Sequence, residues 1–375
     1  MSNSPDDSNN PPSLVLPPVI PPPRRGRGWM IVATILFVLL VVSMLSNLTH
    51  VAGSFGTLGG HGHGRHLSDW GYQETVLEDN SAKDKIAVIT VNGIITSHSF
   101  DADGDSATQS IKDQLEIAAE DKAVKAVLLR VDSPGGEVLA SDDIYRAIVD
   151  FQEKSDKPVI ASMGSLAASG GYYVSAPCRW IVANELTITG SIGVIMHGYN
   201  FRGLMNKIGV QPMVFKSGKF KDMLSSDKLP EDITVEEKKM IQTMIDETYG
   251  RFQKIVEEGR ATANKANKKE AKDDAGRTLQ AGWKDLADGR ILSGKQAWDA
   301  GFVDELGNHD VAVSRAQKIA GITRANLVRY DKPLDFSRLF RLFGKTEARG
   351  VKLDLGVELP KILPGRMYFL LPLAL

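Results

Sequence analysis

Ala126-Val-Leu-Leu-Arg-Val131-Asp132-Ser-Pro-Gly135-Gly136 passes from a run of branched apolar residues directly into a proline and a glycine pair. A short apolar run bounded by a turn signal reads as a buried strand, and the glycines read as the turn that ends it. Two further runs, Ile86-Ala-Val-Ile-Thr-Val91 and Pro158-Val-Ile-Ala-Ser162, have the same character. Between the three lie stretches of helical composition, Ser110 to Glu120 and Ser141 to Glu153. The second opens on Ser141-Asp-Asp and repeats apolar side chains at Ile144, Ala147 and Ile148. Strands alternating with helices predict an α/β fold with mostly parallel pairing, in which ligands sit beyond the carboxyl ends of the strands.

Two glycine-rich segments fall just after such strands. In the first, Gly135 and Gly136 let backbone N–H groups approach a ligand without side-chain interference. Such donors suit an oxyanion hole, and the same residues also suit an ordinary turn. In the second, Met163-Gly-Ser-Leu-Ala-Ala-Ser169-Gly-Gly-Tyr-Tyr, Ser169 precedes what reads as the first turn of a helix. There, unpaired N–H groups and the helix dipole favour an alkoxide or an acyl oxyanion. The Gly-x-Ser-x-Gly elbow is absent, since Ala167 occupies the place of the first glycine.

Lys221 follows Ser169 by 52 positions, in Lys216-Ser-Gly-Lys-Phe-Lys-Asp222. A serine hydroxyl is a weak nucleophile at neutral pH, and a lysine can take its proton only if burial or a neighbouring cation lowers the amine's pKa. Together they would form the serine-lysine variant of the triad. Ser191, in Thr189-Gly-Ser-Ile-Gly193, either holds the lysine amine in line with Ser169 or belongs to a tight turn.

Further along, residues 234 to 259 predict a helix. Thr234 with Glu237 makes a capping box, and Ile241, Met244, Ile245, Tyr249, Phe252, Ile255 and Val256 trace one stripe, either core or an oligomer contact. Residues 264 to 279, rich in Asn, Lys, Asp and Ala, read as a solvated insertion. Asp288 to Gly307 reads as a turn, a short helix stopped at Gly301 and a final turn.

The chain has 375 residues, 42% of them hydrophobic, and a formal net charge of −1, so a sizeable core is available and no pull toward nucleic acid is expected. One cysteine, Cys178, rules out an internal disulfide framework and reads as a small buried hydrophobe. Residues 1–28 hold a proline-rich tail ending in Arg24-Arg-Gly-Arg27, which cannot build a core. Trp29 through Leu45 is free of charge for 17 residues and predicts a transmembrane helix over 29–46. The arginines before it place the N-terminus in the cytoplasm and the rest of the chain outside. Residues 47–80, with His61, His63 and His66 among glycines, predict a flexible linker; nothing there fixes a metal. A serine-lysine hydrolase domain is expected over 81–330. In the tail, 331–375, Met367-Tyr-Phe-Leu-Leu-Pro-Leu-Ala-Leu375 is apolar and too short to span a bilayer. Either it lies on the membrane or on a neighbour, or it occupies the chain's own cleft as an inhibitor or a substrate.

Ser133-Pro-Gly-Gly, Met163 through Tyr173, Thr189-Gly-Ser-Ile-Gly-Val-Ile, Lys216-Ser-Gly with Lys221-Asp222, and the Gly289-Arg to Val303-Asp-Glu-Leu-Gly block come in an order and spacing that resemble the bacterial signal peptide peptidase A (protease IV) family of serine-lysine peptidases. The resemblance covers approximately Ile86 to Ala320. It implies that Ser169 is the nucleophile, Lys221 the general base, Ser191 the residue that orients the lysine, and Gly135 with Gly136 the oxyanion backbone. It implies a crotonase/Clp-protease-like spiral of strands and helices, no metal or organic cofactor, and a ring or dome of subunits that complete one another's sites. Residual signal peptides would be the substrates, cut at the outer side of the cytoplasmic membrane. Three alternatives stay open: a serine-lysine protease for membrane-protein quality control, a crotonase-like acyl-CoA enzyme, and a catalytically silent scaffold.

Overall fold

The computed structural model describes residues 34–40, 67–97, 106–270, 274–332 and 367–370. The chain divides into two compact units, Met1–His63 and Gly64–Leu375. Of the first, residues 34–40 are helical, with Ile35 to Leu40 all exposed. The remainder of the expected span over 29–46, the proline-rich head and the three linker histidines lie outside the described residues. Among the described residues, no helix is long and apolar enough to cross a membrane.

In the second unit the strands are, in chain order, β1 (Gln73–Glu78), β2 (Lys85–Asn92), β3 (Val124–Ser133), β4 (Gly135–Glu137), β5 (Val159–Ala168), β6 (Trp180–Ala183), β7 (Ile188–Gly190), β8 (Ile195–Met196), β9 (Ile291–Ser293), β10 (Glu305–Leu306), β11 (Asn326–Asp331) and β12 (Met367–Leu370). The helices are α1 (Ala107–Glu120), α2 (Val138–Ser155), α3 (Gly170–Ser175), α4 (Arg202–Lys207), α5 (Val235–Glu270), α6 (Gly294–Asp299) and α7 (His309–Ile319). The main sheet runs β1-β11-β2-β3-β5-β6-β10, with β7 and β9 continuing from the second half of β5. Pairing from β11 through β10 is parallel, as the alternation of strands and helices predicts.

Helices cover both faces of these strands, so successive residues fall into different cores. Ala87, Ile89, Val127 and Leu129 join one core with Ile111 of α1, Ile144 of α2 and Phe252 of α5. Ile86, Val88, Ala126 and Leu128 join the other with Ala312 and Ala316 of α7. Cys178 is buried, as expected, and burial pushes its thiol up to about 12.

Three expectations need correcting. Order begins before residue 81: β1 pairs antiparallel with β11, because an edge strand needs only one partner and little apolar patterning. Helix α2 opens at Val138, three residues before Ser141, whose hydroxyl instead donates to the Glu137 carbonyl at 2.9 Å inside the first turn. Helix α5 starts behind the expected capping box, with the Thr234 N–H donating to Glu237 Oε2 at 2.7 Å and the Glu237 N–H to Thr234 Oγ1 at 3.2 Å. It then runs on to Glu270, into the first part of the stretch read as a solvated insertion. Its lysines are exposed, but two of its amides are internal anchors: Asn264 donates to the Arg277 carbonyl at 2.8 Å and Asn267 to that of Arg179 at 3.2 Å, while Arg260, one turn earlier, pairs with buried Asp304. Composition could not separate such buried amides, bonded to distant carbonyls, from solvated ones.

Of the placements left open for the tail, residues 367–370 take one within the chain's own fold. β12, inside 331–375, is the central strand of a small antiparallel sheet, β4-β12-β8.

Candidate active site

β5 ends at Ala168 and α3 begins at Gly170, so Ser169 is the hinge between a strand and a helix. Its backbone sits at φ 53°, ψ −115°, which a residue with a Cβ adopts only under strain of about 1–3 kcal/mol. Two hydrogen bonds hold it there: the Ser169 N–H donates to the Gly190 carbonyl and the Tyr173 N–H to the Ser169 carbonyl, each at 2.8 Å. This strand-turn-helix geometry presents a side chain as a nucleophile elbow does, without the Gly-x-Ser-x-Gly pattern. The glycines after the serine are dictated by space. A Cβ on Gly170 would meet Ser141 Oγ at 2.8 Å and Gly136 N at 3.0 Å, and one on Gly171 would meet the Ser133 carbonyl at 2.7 Å.

Gly135 and Gly136 form the start of β4 beside this turn. The Gly135 N–H donates to Ser133 Oγ at 3.1 Å, so it is already engaged. The sequence points to the unpaired N–H groups of the helix turn after Ser169 without singling out its first residue, Gly170. A Cβ built on Gly135 would lie 2.5 Å from Gly170 N and 1.9 Å from the carbonyl oxygen of Phe369 in β12. One carbonyl of an extended strand therefore crosses the Cα of Gly135 next to the N–H of the residue that follows Ser169. The available clue was chain position, since the N–H after a nucleophile commonly serves the oxyanion.

β12 lies in a groove between β4 and β8. Tyr368 opposes Glu137 on one side and Ile195 on the other, while Phe369 opposes Gly136. Phe369 is fully buried, stacked on Tyr173 with ring centroids 4.7 Å apart and against Phe252 at 4.8 Å. Tyr173 donates its hydroxyl to Asp142 at 2.7 Å. Burial works to raise the Asp142 pKa, but the hydrogen bonds from Tyr173, Arg146 and Arg251 outweigh it and hold the carboxyl below its ordinary value.

Ser191 also has a left-handed backbone, φ 50°, and is nearly buried, its N–H donating to the Arg290 carbonyl at 2.7 Å. It lines a cleft of 410 Å³ together with Ile245, Asp246, Tyr249, Asp288 and Leu370. The cleft continues the β12 groove on the side of Leu370.

Lys221 is exposed, in a turn whose N–H donates to the Gly218 carbonyl at 3.4 Å. Among the described residues no hydrogen bond joins it to Ser169 or Ser191, and it does not line the Ser191 cleft. Its neighbours are spoken for: Lys216 pairs with Asp222 at 2.7 Å, Lys219 with Glu236 at 2.5 Å, and Lys228 with Glu237 at 2.6 Å in the first turn of α5. The structure thus brings Ser169, Gly135, Gly136, Gly170 and Ser191 to one groove and leaves Lys221 on a separate excursion of the chain.

Residues 151–282, which include Ser169, Ser191 and Lys221, match the family model described as peptidase family S49. The chain is 38% identical over 261 residues to a protein named signal peptide peptidase SppA from Enterococcus faecium, covering 68% of this chain and 70% of that one. It is 40% identical over 242 residues to a protein named as a protease from Synechocystis, covering 64% and 76%. Protease 4 of Haemophilus influenzae is 34% identical over 243 residues, 65% of this chain and 36% of its own length. Of solved structures, a membrane-bound stomatin-specific protease overlaps 63% of this chain and 86% of its own with a TM-score of 0.37 at 16% identity. With a family match over residues 151–282 and relatives 38% and 40% identical over 70% and 76% of their own length, the chain belongs to peptidase family S49 and is a serine-type peptidase.

Proposed function

We propose that this peptidase uses Ser169 as nucleophile and Lys221 as base to hydrolyse apolar peptides held as an extended strand between β4 and β8, within a crotonase/Clp-like fold. The observation that carries the reading is β12 itself, an apolar segment lying antiparallel to both strands with one carbonyl over Gly135 and beside Gly170. Strand addition of this kind fixes a peptide through its main chain and reads its side chains through pockets.

In the cycle, Ser169 Oγ attacks the carbonyl carbon while neutral Lys221 takes the hydroxyl proton. The N–H groups of Gly170 and Gly136 stabilise the oxyanion. Collapse breaks the C–N bond, and Lys221 returns its proton to the leaving amine. Water then attacks the acyl ester, again losing a proton to Lys221, and Ser169 recovers that proton as the carboxylic product leaves. No metal or organic cofactor enters these steps. Ser191 orients the lysine from the wall of its cleft.

The separation of Lys221 from Ser169 within one chain supports a site completed by a second copy. The excursion that carries Lys221 exposes Tyr199, Met213 and Phe215 by 66%, 80% and 89%, and Met244 on the stripe of α5 by 44%. Apolar surface of that kind marks an association face. A ring or dome of subunits would cover it and deliver Lys221 to the cleft beside Ser191.

Signal peptides left in the membrane after secretion are the substrates this reading favours, with the segment over 29–46 as anchor and the catalytic unit on the outer side of the cytoplasmic membrane. The charge-free stretch from Trp29 to Leu45 with arginines before it supports the anchor, and the apolar occupant of the groove supports the substrate class. In the resting chain the tail occupies the groove as an inhibitor.

The test is complementation. Full-length Ser169→Ala and Lys221→Ala should each lower cleavage of a fluorogenic apolar peptide by roughly a thousandfold or more. Mixing the two inactive proteins should restore a substantial fraction of the activity if neighbouring chains share the site. Full activity in either single variant would sink the dyad, and a mixture that stays inactive would sink the shared site.

A further inference from the structure

We propose that this enzyme selects an aromatic residue on the acyl side of the bond it cuts, and that Tyr173 and Phe252 are the specificity-determining residues. The inference rests on the peptidase reading above and deepens it to a substrate class.

The register of β12 decides which side chain matters. The carbonyl that crosses Gly135 beside Gly170 belongs to Phe369, so Phe369 marks the acyl-side position and Leu370 the residue after the bond. Its ring is fully buried in an aromatic box. Tyr173 lies nearly parallel to it, at 27° and 4.7 Å, and Phe252 is tilted against it at 4.8 Å. Tyr173 and Phe252 also touch each other edge-on at 4.9 Å, so two walls form one rigid corner.

The corner is braced from behind. Tyr145 meets Tyr173 edge-on at 5.7 Å, and the Tyr173 hydroxyl is fixed by Asp142, which is itself held by Arg146 at 2.7 Å and Arg251 at 3.3 Å. That carboxylate is therefore already neutralised, so the box offers nothing to a basic side chain. A flat ring gains stacking on one wall and an edge contact on the other, whereas an aliphatic side chain gains only contact area. Phe252 has a second meaning: it comes from α5, far along the chain from Ser169, so selectivity can be changed without touching the nucleophile turn.

Two measurements on the full-length protein test this. In the first, peptides of the form Ala-Met-Tyr-X-Leu-Leu are compared with X as Phe, Leu or Ala, with the cut site mapped by mass spectrometry. Cleavage after X with kcat/KM about tenfold or more higher for Phe than for Ala is expected, and Phe252→Ala should collapse that ratio while Ala remains cleaved. A profile that favours Leu or Ala, or a cut elsewhere in the Phe peptide, overturns the proposal.

The second measurement needs no chemistry. In full-length Ser169→Ala carrying Phe369→Ala to loosen the tail, the labelled Phe peptide should bind about tenfold more tightly than the Ala peptide, and Phe252→Ala should abolish the difference. Equal affinities overturn the aromatic box. Discrimination in binding with no cleavage by the wild type keeps the box and overturns the peptidase mechanism instead, so the two failures are distinguishable.

Discussion

Ser169 at φ 53° occupies backbone space that glycine enters freely and serine does not. The strain is held by the bonds to Gly190 and Tyr173 and is concentrated at the residue that would attack the substrate. Replacing it separates stability from activity. Both Ser169→Gly and Ser169→Ala should be inactive, yet Ser169→Gly should be more stable than Ser169→Ala by about 1 kcal/mol, because only the alanine keeps the Cβ that dislikes this conformation. Thermal unfolding of the two variants side by side checks this, and an alanine variant as stable as the glycine one would show that no strain is stored there. Gly135→Ala places a Cβ where the groove's occupant and Gly170 N already lie. It should cut peptide turnover by a hundredfold or so, an effect comparable to losing one oxyanion donor, with a smaller loss of stability; unchanged kcat/KM would mean that substrate does not cross Gly135 as β12 does.

Among the elements, α5 carries the most varied load. Its first turn ties down the Lys221 excursion through Glu236 and Glu237, its middle supplies Phe252 to the groove, and its later turns carry Arg260 to Asp304. Arg260 and Asp304 are both buried, so removing one partner strands a charge. Asp304→Asn should cost about 3–5 kcal/mol in chemical denaturation, and a cost under 1 kcal/mol would place the helix end outside the cooperative core. Asp142, which braces Tyr173 from α2, makes a pH-dependent contribution. Its carboxyl is held below the ordinary value in the folded state, so its contribution is complete above the unfolded pKa of about 4 and is lost as pH falls through the folded one. The gap in melting temperature between wild type and Asp142→Asn should be constant above about pH 4 and should narrow below it. A gap that does not change with pH would assign the effect to packing alone.

For the whole molecule, the proposed reading has the tail, whose residues 367–370 pair with β4 and β8, competing with substrate for that groove. Burial of Phe369 contributes about 1.5–3 kcal/mol to that occupancy, so full-length Phe369→Asp should cleave an added peptide several-fold faster than wild type. If the variant instead unfolds more easily and cleaves no faster, β12 is a structural strand of the domain. The proposed assembly would bear on the same groove, because Lys221 and the exposed Tyr199, Met213 and Phe215 stand on one excursion of the chain.

The sequence by itself determined the alternation that gives the parallel sheet, the capping box that starts α5, and the Ser169-Gly-Gly turn. Each is written in neighbouring residues, and local sterics or hydrogen bonds enforce it. The family was legible for the same reason, since its motifs are short and contiguous. Tertiary structure alone decided that Asn264, Asn267 and Arg260 are internal anchors, that Gly170 joins Gly136 beside the groove, and that Phe369 is boxed by Tyr173 and Phe252. Those relations link residues up to 196 positions apart, as Phe369 is from Tyr173. Whether a polar side chain is buried, or which carbonyl crosses a glycine, depends on what the rest of the chain brings against it, and no local pattern carries that information.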